Sequence, residues 1–230
     1  MNIKTFTTLA LMAVSACGTV ASAPLIAYDG SPQAGTSTRL DPVDLTLEQR
    51  PVRIWNNDVG EGFRKGVVEA GFEVGAGIGH QAFGSRVAHD FALAKLHLGR
   101  MVGGVVGEQK WYRGNWEVRG ELFAGGQFNM ESAYLVGLTP VLRYNFATST
   151  RWLPFVDVGA GVMGTDIGRP DLSTTFQFNT QVGAGVRRFF TRNSALTLQY
   201  RYIHISNAGI DKPNYGANTS MFYIGMSWFF

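Results

Sequence analysis

Two residues near the carboxyl end of this chain have the types and the spacing of a nucleophile and its base. His204 and Ser206 are separated by one residue. Residues i and i+2 of a β-strand point to the same side and lie about 7 Å apart along the backbone. An imidazole there can take the proton of the serine hydroxyl, which is a weak nucleophile without a base. The pair is therefore suited to acyl-transfer chemistry, but an isolated pair of this kind is more typical of an ordinary junction between a strand and a loop, so the surrounding residues decide between the two.

The region that must position this pair is predicted to be all-β. From Lys65 onward, apolar residues alternate with polar or small residues at a period of two, the pattern of β-strands. Each segment is long enough to cross a bilayer at a tilt, which takes ~9–11 residues. The segments lie near 66–80, 88–103, 114–127, 134–147, 152–163, 174–190, 194–206 and 217–230. An even set of this size predicts an eight-stranded antiparallel transmembrane β-barrel over residues 64–230.

The alternation also assigns a side to each strand residue. In the last segment, Phe222 and Ile224 share one face, whereas Gly225 lies on the other. An apolar exterior around a polar lumen is the reverse of a soluble barrel and indicates lipid outside. By the same parity, His204 and Ser206 face lipid at the extracellular end of their strand. Polar groups that face hydrocarbon are costly when unsatisfied, so their presence indicates an enzyme that acts on the surrounding lipid.

The amino-terminal part of the chain has the features of a secreted protein. Residues 1–23 are predicted to be a signal peptide, with Lys4 as its positive region and residues 6–16 as its apolar core. Cys17 is the sole cysteine, which excludes a disulfide framework but leaves open a lipoprotein cleavage site. Residues 24–63 are polar and contain proline, and we interpret them as a periplasmic extension or a plug.

Composition excludes several other functions. The net charge of +3 is small, and the chain lacks a dense basic run, so nucleic acid is not an expected partner. The histidines at 80, 89 and 97 do not have metal-ligand spacing. The G-x-G-x-x-G string at 159–164 is not followed by a predicted helix, so it does not indicate a dinucleotide site. No metal or cofactor is implied, and the charged residues of the strands are expected to fill the lumen.

The residues around the His-x-Ser pair resemble a known signature. The stretch from 204 to 218 contains H-x-S-N-A-G followed by P-N-x-G, and it is similar to the lipid A 3-O-deacylase (PagL) family of outer-membrane acyl hydrolases. The resemblance implies that Ser206 is the nucleophile, His204 the general base and Asn218 the third member. Glutamate stands there in the best-described pattern of the family, so an amide replaces a carboxylate. Asp211 is the alternative acid.

Acyl transfer also requires donors that stabilise the oxyanion. The candidates are the backbone N–H groups of Asn207, Ala208 and Gly209 and the side chain of Asn214. Asn and Gly are also standard turn residues, so simple turn chemistry is the other interpretation.

The resemblance implies an esterase of the outer membrane that removes the acyl chain at the 3 position of lipid A in lipopolysaccharide and releases a 3-hydroxy fatty acid. Two other classes stay open: a catalytically inactive structural or adhesive barrel, and a phospholipase or acyltransferase barrel. Whether the barrel is a monomer or a homodimer is also open.

Overall fold

The computed structural model describes residues 63–148 and 150–230, and in these residues eight strands form a closed antiparallel barrel. Each strand pairs with the next, and β1 closes the ring against β8. The strands are β1 (Val68–Gly79), β2 (Phe91–Met101), β3 (Gly114–Gln127), β4 (Tyr134–Phe146), β5 (Trp152–Thr165), β6 (Phe176–Phe189), β7 (Ser194–Ser206) and β8 (Ala217–Phe229). The predicted fold is confirmed. Across the same residues, no helix is long and apolar enough to cross a membrane.

The predicted strand ends agree with the observed ones to within three residues, and the largest difference is at the start of β2. Before Phe91 the chain is outside the β1–β2 ladder: the Asp90 side chain accepts a hydrogen bond from the Gly79 backbone N–H at 2.8 Å, and the Asp90 carbonyl oxygen accepts from the Phe128 N–H at 3.1 Å. The bounds of β3 and β7 are as predicted. The signal peptide and residues 24–62 lie outside the described residues, so the predictions for them remain predictions.

The faces of the barrel follow the predicted parity. In β2, buried and exposed residues alternate strictly from Phe91 to Met101. The exposed face is apolar: Leu98 is 63% exposed, Phe222 61% and Val182 54%. The buried face carries the charges, and this inverted distribution is that of a barrel surrounded by lipid.

The middle of the lumen is filled by ion pairs. Arg201 donates to both carboxylate oxygens of Glu121, at 2.5 and 2.8 Å, and to Asp157 at 2.9 Å. Other buried charged residues form the same network: Glu69, Glu73, Lys95, Glu117, Arg119, Arg143 and Arg187. Each charge has lost its hydration, so it must be paired with an opposite charge. These contacts support the prediction that the charged residues of the strands fill the lumen.

Aromatic residues close the end of the lumen where the chain enters and leaves the barrel. Phe63 packs edge-on against Phe189 and Phe229, with ring centroids 6.0 and 5.6 Å apart. The Asn115 side-chain amide donates to the Phe63 carbonyl oxygen. Phe63 is the last residue of the segment that was interpreted as an extension or plug, and its own side chain lies in the barrel end.

At the opposite end, the β5–β6 and β7–β8 connections are joined. The backbone N–H groups of Tyr215 and Gly216 both donate to the carbonyl oxygen of Asp171, at 3.0 and 3.1 Å. The β7–β8 connection is thereby fixed next to the end of β7, where His204 and Ser206 lie. The β2–β3 connection, at the Phe63 end of the barrel, folds back on itself through an antiparallel bridge between Val106 and Gly114.

Candidate active site

His204 lies directly opposite Asn218 in the β7–β8 ladder. Their side chains point to the outside of the barrel, and His204 Nδ1 is 2.8 Å from Asn218 Oδ1. His204 is partly exposed, whereas Asn218 is fully buried under the β1–β2 connection. The structure thus brings together the residues that were predicted to be the base and its orienting partner, although they are 14 positions apart in the chain.

The orientation of the Asn218 amide follows from its second contact. Asn218 Nδ2 lies 2.6 Å from the backbone carbonyl oxygen of Ala82, which can only accept a hydrogen bond. The amide nitrogen must therefore face Ala82, and the amide oxygen must face His204. Because that oxygen can only accept, His204 carries its proton on Nδ1. Nε2 keeps its lone pair, which is the form that a general base requires.

Ser206 is on the same outward face as His204, two residues further along β7, and it is partly exposed. Its Cα partner on β6 is Phe178, and the partner of His204 is Thr180. Among the hydrogen bonds of the described residues, none joins the Ser206 hydroxyl to the His204 imidazole. Such a contact is often long in a free enzyme and shortens when substrate binds.

Gly216 lies against both residues. A Cβ atom on Gly216 would be 3.2 Å from His204 Cε1 and 3.9 Å from Ser206 Cβ. Its φ angle of +74° is in the left-handed region, where glycine has little steric cost. The absence of a side chain at 216 therefore leaves space around the imidazole and the serine.

The loop after Ser206 uses some of the candidate oxyanion donors for its own structure. The Asn207 side chain accepts from the Gly209 N–H at 2.9 Å and donates to Asp211 O and Ser173 Oγ. Asn214 Oδ1 accepts a long hydrogen bond, 3.4 Å, from the Asn207 N–H. Within the described chain, no hydrogen bond occupies Asn214 Nδ2 or the N–H of Ala208, whose φ is 53°. These two donors are the ones still available to an oxyanion.

Asp211, the alternative acid, points elsewhere. Its Oδ2 accepts from Arg169 Nη2 at 2.6 Å, and its Oδ1 accepts from the Lys212 N–H at 2.7 Å. Both side chains of this ion pair are solvent-exposed. The third position next to His204 is taken by Asn218.

A Ser–His contact that the sequence did not predict lies further down the same outer wall. Ser220 Oγ is 2.8 Å from His80 Nε2 and 2.9 Å from the Tyr200 hydroxyl. The His80 ring stacks on Tyr202 with centroids 6.2 Å apart. The sequence around His80 gives no sign of this contact, because Ser220 is 140 positions away. The only feature of the sequence that could have pointed to this contact is the position of Ser220 on the outward face of β8, which it shares with Phe222.

Below these polar residues, the wall has a shallow apolar groove across β1, β7 and β8. It has a volume of ≈ 730 Å³, and its outward lining residues are Val74, Ala76, Leu198, Tyr200, Phe222 and Ile224. The ladder places Leu198 opposite Ile224, and Val74 opposite Ile224 on the other side. The groove therefore runs along the barrel wall below the level of His204 and can accept a hydrocarbon chain.

Comparison with known proteins gives a family match, a relative by sequence and a similar structure. Residues 94–227 match the family model described as lipid A 3-O-deacylase (PagL). The chain is 32% identical over 114 residues to lipid A deacylase PagL of Pseudomonas aeruginosa strain PAO1, an alignment that covers 48% of this chain. This alignment spans 62% of the length of that relative, which is less than two thirds. A crystal structure of the outer membrane enzyme PagL superposes with a TM-score of 0.50 at 22% identity, covering 66% of this chain and 97% of that chain.

Proposed function

Because the chain belongs to the lipid A 3-O-deacylase (PagL) family, we propose that it is an outer-membrane esterase that hydrolyses the acyl ester at the 3 position of lipid A. The observation that carries the proposal is the outward-facing pair of His204 and Asn218, 2.8 Å apart, on a barrel wall whose exposed residues are mainly apolar. A water-soluble ester would not require this location, because its hydrolysis gains nothing from a site that faces hydrocarbon. A lipid in the outer leaflet does require it.

In this mechanism, Ser206 Oγ attacks the carbonyl carbon of the acyl ester while its proton passes to His204 Nε2. The negative charge that develops on the carbonyl oxygen is stabilised by the Ala208 N–H and Asn214 Nδ2. When the tetrahedral intermediate collapses, the bond to the sugar oxygen breaks and His204 returns the proton to that oxygen. An acyl group is then bound to Ser206 as an ester.

In the second half of the reaction, water hydrolyses the acyl ester on Ser206. His204 Nε2 takes a proton from the water as its oxygen attacks the acyl carbonyl. The Ser206 oxygen leaves and recovers the proton, and a free 3-hydroxy fatty acid is released. Asn218 holds the ring in place throughout but does not carry charge, so it supports the imidazolium less than a carboxylate would. The released chain and its uncut precursor are accommodated in the apolar groove below His204.

The proposal is tested by mass spectrometry of lipid A from cells that express the protein. We expect the loss of one 3-hydroxyacyl chain, and we expect Ser206→Ala to abolish that loss while the barrel still folds. An unchanged lipid A profile with a folded wild-type barrel would contradict the proposal and favour an inactive structural barrel. A change in phospholipids instead of lipid A would favour a phospholipase or acyltransferase.

A further inference from the structure

We propose that the β1–β2 turn at residues 82–85 is a positioning element of the active site, which makes asparagine the competent partner of His204. This role of the turn rests on the proposed function. It concerns the position where the family pattern has an acid and this chain has Asn218. An amide there would ordinarily be taken as a weakened site. The contacts of the turn indicate a site that is adapted to the amide.

The contact between Ala82 and Asn218 requires a side chain that can donate. The Ala82 carbonyl oxygen accepts from Asn218 Nδ2 at 2.6 Å, and Asn218 is fully buried. A carboxylate at 218 has only acceptor atoms, so one of its oxygens would face the carbonyl oxygen of Ala82 without a proton between them. Two buried acceptor oxygens that face each other without a proton between them repel, and the carboxylate oxygen lacks a donor on that side. The turn therefore selects a side chain that donates on one side and accepts on the other.

The turn is firmly held in this position by its own hydrogen bond. The Ser85 N–H donates to the same Ala82 oxygen at 3.0 Å, which closes a four-residue turn. Its central residues, Phe83 and Gly84, have φ angles of 49° and 95°, the left-handed values of a type I′ turn. A phenylalanine is rarely found in this region, and such a conformation persists only when the surrounding structure imposes it.

Contacts on both sides of the turn tie it to β8 and β7. The His80 N–H donates to the Asn218 carbonyl oxygen at 2.8 Å, which continues the β1–β8 ladder. After the turn, Thr219 Oγ1 donates to the His89 carbonyl oxygen at 2.9 Å. The Phe83 ring packs edge-on against Tyr202 at 6.2 Å. The position of the Ala82 carbonyl relative to Asn218 is thus determined by neighbours on either side.

These contacts form one continuous series of hydrogen bonds. Asn218 donates to Ala82, and His204 donates to Asn218, so His204 Nε2 is left as the base. Donation to Ala82 also polarises the amide so that its oxygen becomes a better acceptor for His204. The turn does not touch substrate and acts only through Asn218, so its role is one of positioning.

The test combines Asn218→Asp, which has the same shape as the native side chain, with Gly84→Val, which disturbs the turn. A Cβ at Gly84 would meet no atom closer than 3.7 Å, so the main effect of the β-branched valine is on the left-handed backbone conformation of the turn. Gly66→Val is the matched control, because Gly66 has a φ of +99° and equally open surroundings near the Phe63 end of the barrel. Fatty acid release from purified lipid A is measured for each folded barrel in detergent.

We expect Asn218→Asp to lower kcat by about tenfold to a hundredfold with KM unchanged, because a carboxylate oxygen would face the Ala82 carbonyl oxygen in a buried site with no proton between them. Gly84→Val alone should also lower kcat. When Asn218→Asp is also present, Gly84→Val should lower kcat no further or should restore activity. Moving the Ala82 carbonyl relieves the repulsion between its oxygen and the carboxylate at position 218. Gly66→Val should leave kcat within about twofold, as for a surface change remote from the site.

Two results would overturn the inference while leaving the proposed function intact. One is an Asn218→Asp protein that is as active as wild type or more active. The other is a Gly84→Val penalty of equal size with and without Asn218→Asp, which would mean that the turn and residue 218 act independently. A wild-type protein that releases no fatty acid would instead be a failure of the proposed function.

Discussion

The Ser220 hydroxyl oxygen lies 2.8 Å from Nε2 of His80, on the same outward face of the barrel as Ser206. Among the described residues, this is a closer Ser–His contact than the one proposed for catalysis. The Ser206–His204 and Ser220–His80 pairs differ in whether a hydrogen bond orients the imidazole. His204 is oriented by Asn218, whereas no hydrogen bond of the described residues holds Nδ1 of His80.

This difference predicts opposite outcomes for two serine variants. Ser206→Ala should lower fatty acid release by about a thousandfold or more, because the nucleophile is lost. Ser220→Ala should stay within about threefold of wild type, since it removes only two hydrogen bonds of modest worth, to His80 and Tyr200, and neither involves His204. Initial rates on purified lipid A, with folding checked by the mobility of unheated barrels in gels, give the comparison. An inactive Ser220→Ala together with an active Ser206→Ala would move the nucleophile to Ser220.

Gly216→Ala should reduce kcat by about tenfold while the barrel remains folded. The new Cβ would lie 3.2 Å from His204 Cε1 and 3.0 Å from the Ile205 carbonyl oxygen, so the imidazole must shift. A small displacement of a catalytic group is enough for a loss of this order. Gly66→Ala is the control, because its φ of +99° gives a similar backbone penalty away from the site. Equal rates for the two variants would show that Gly216 does not shape the site.

Asn214→Asp tests the oxyanion donor. The aspartate keeps the oxygen that accepts from the Asn207 N–H at 3.4 Å but replaces the free Nδ2 donor with a second acceptor. Loss of one oxyanion donor typically lowers kcat by about a hundredfold, and the added negative charge would increase the effect. The measurement is kcat for release from lipid A. Activity close to wild type would assign oxyanion stabilisation to backbone donors such as the Ala208 N–H.

Arg201→Met and Asp211→Asn compare a buried ion pair with an exposed one. Arg201 is fully buried against Glu121 and Asp157, so its loss leaves buried carboxylates without a partner and should cost about 3–5 kcal/mol. Asp211 pairs with Arg169 at the surface, where such a pair contributes about 0–1 kcal/mol. Urea unfolding of barrels in lipid vesicles measures both free energies.

The same Asp211→Asn protein tests the alternative acid. We expect its rate of fatty acid release to match wild type, because both Asp211 carboxylate oxygens are bonded away from His204. A loss as large as that of a His204→Ala variant would instead return Asp211 to the catalytic site.

The positions of the strands and the faces of their residues were predictable because both depend on local geometry. Side chains alternate between the two faces of a strand, so a lipid-facing barrel must alternate apolar and polar residues whatever its other contacts are. The same rule placed His204 and Ser206 together on the outer face, and the barrel confirms the parity on which that prediction rests. The catalytic roles of these residues, and of Asn218, remain predictions.

The amino-acid sequence by itself determined the number of strands, the face of each residue and the His-x-Ser pair, because each of these depends on neighbours in the chain. Only the tertiary structure decided what surrounds the pair. Ala82 and Asn218 are 136 positions apart, and they meet because β1 closes the barrel against β8. No periodicity encodes that contact, since it depends on the register of the closing strands and on the path of one turn. That contact orients the amide, and through it the imidazole of His204.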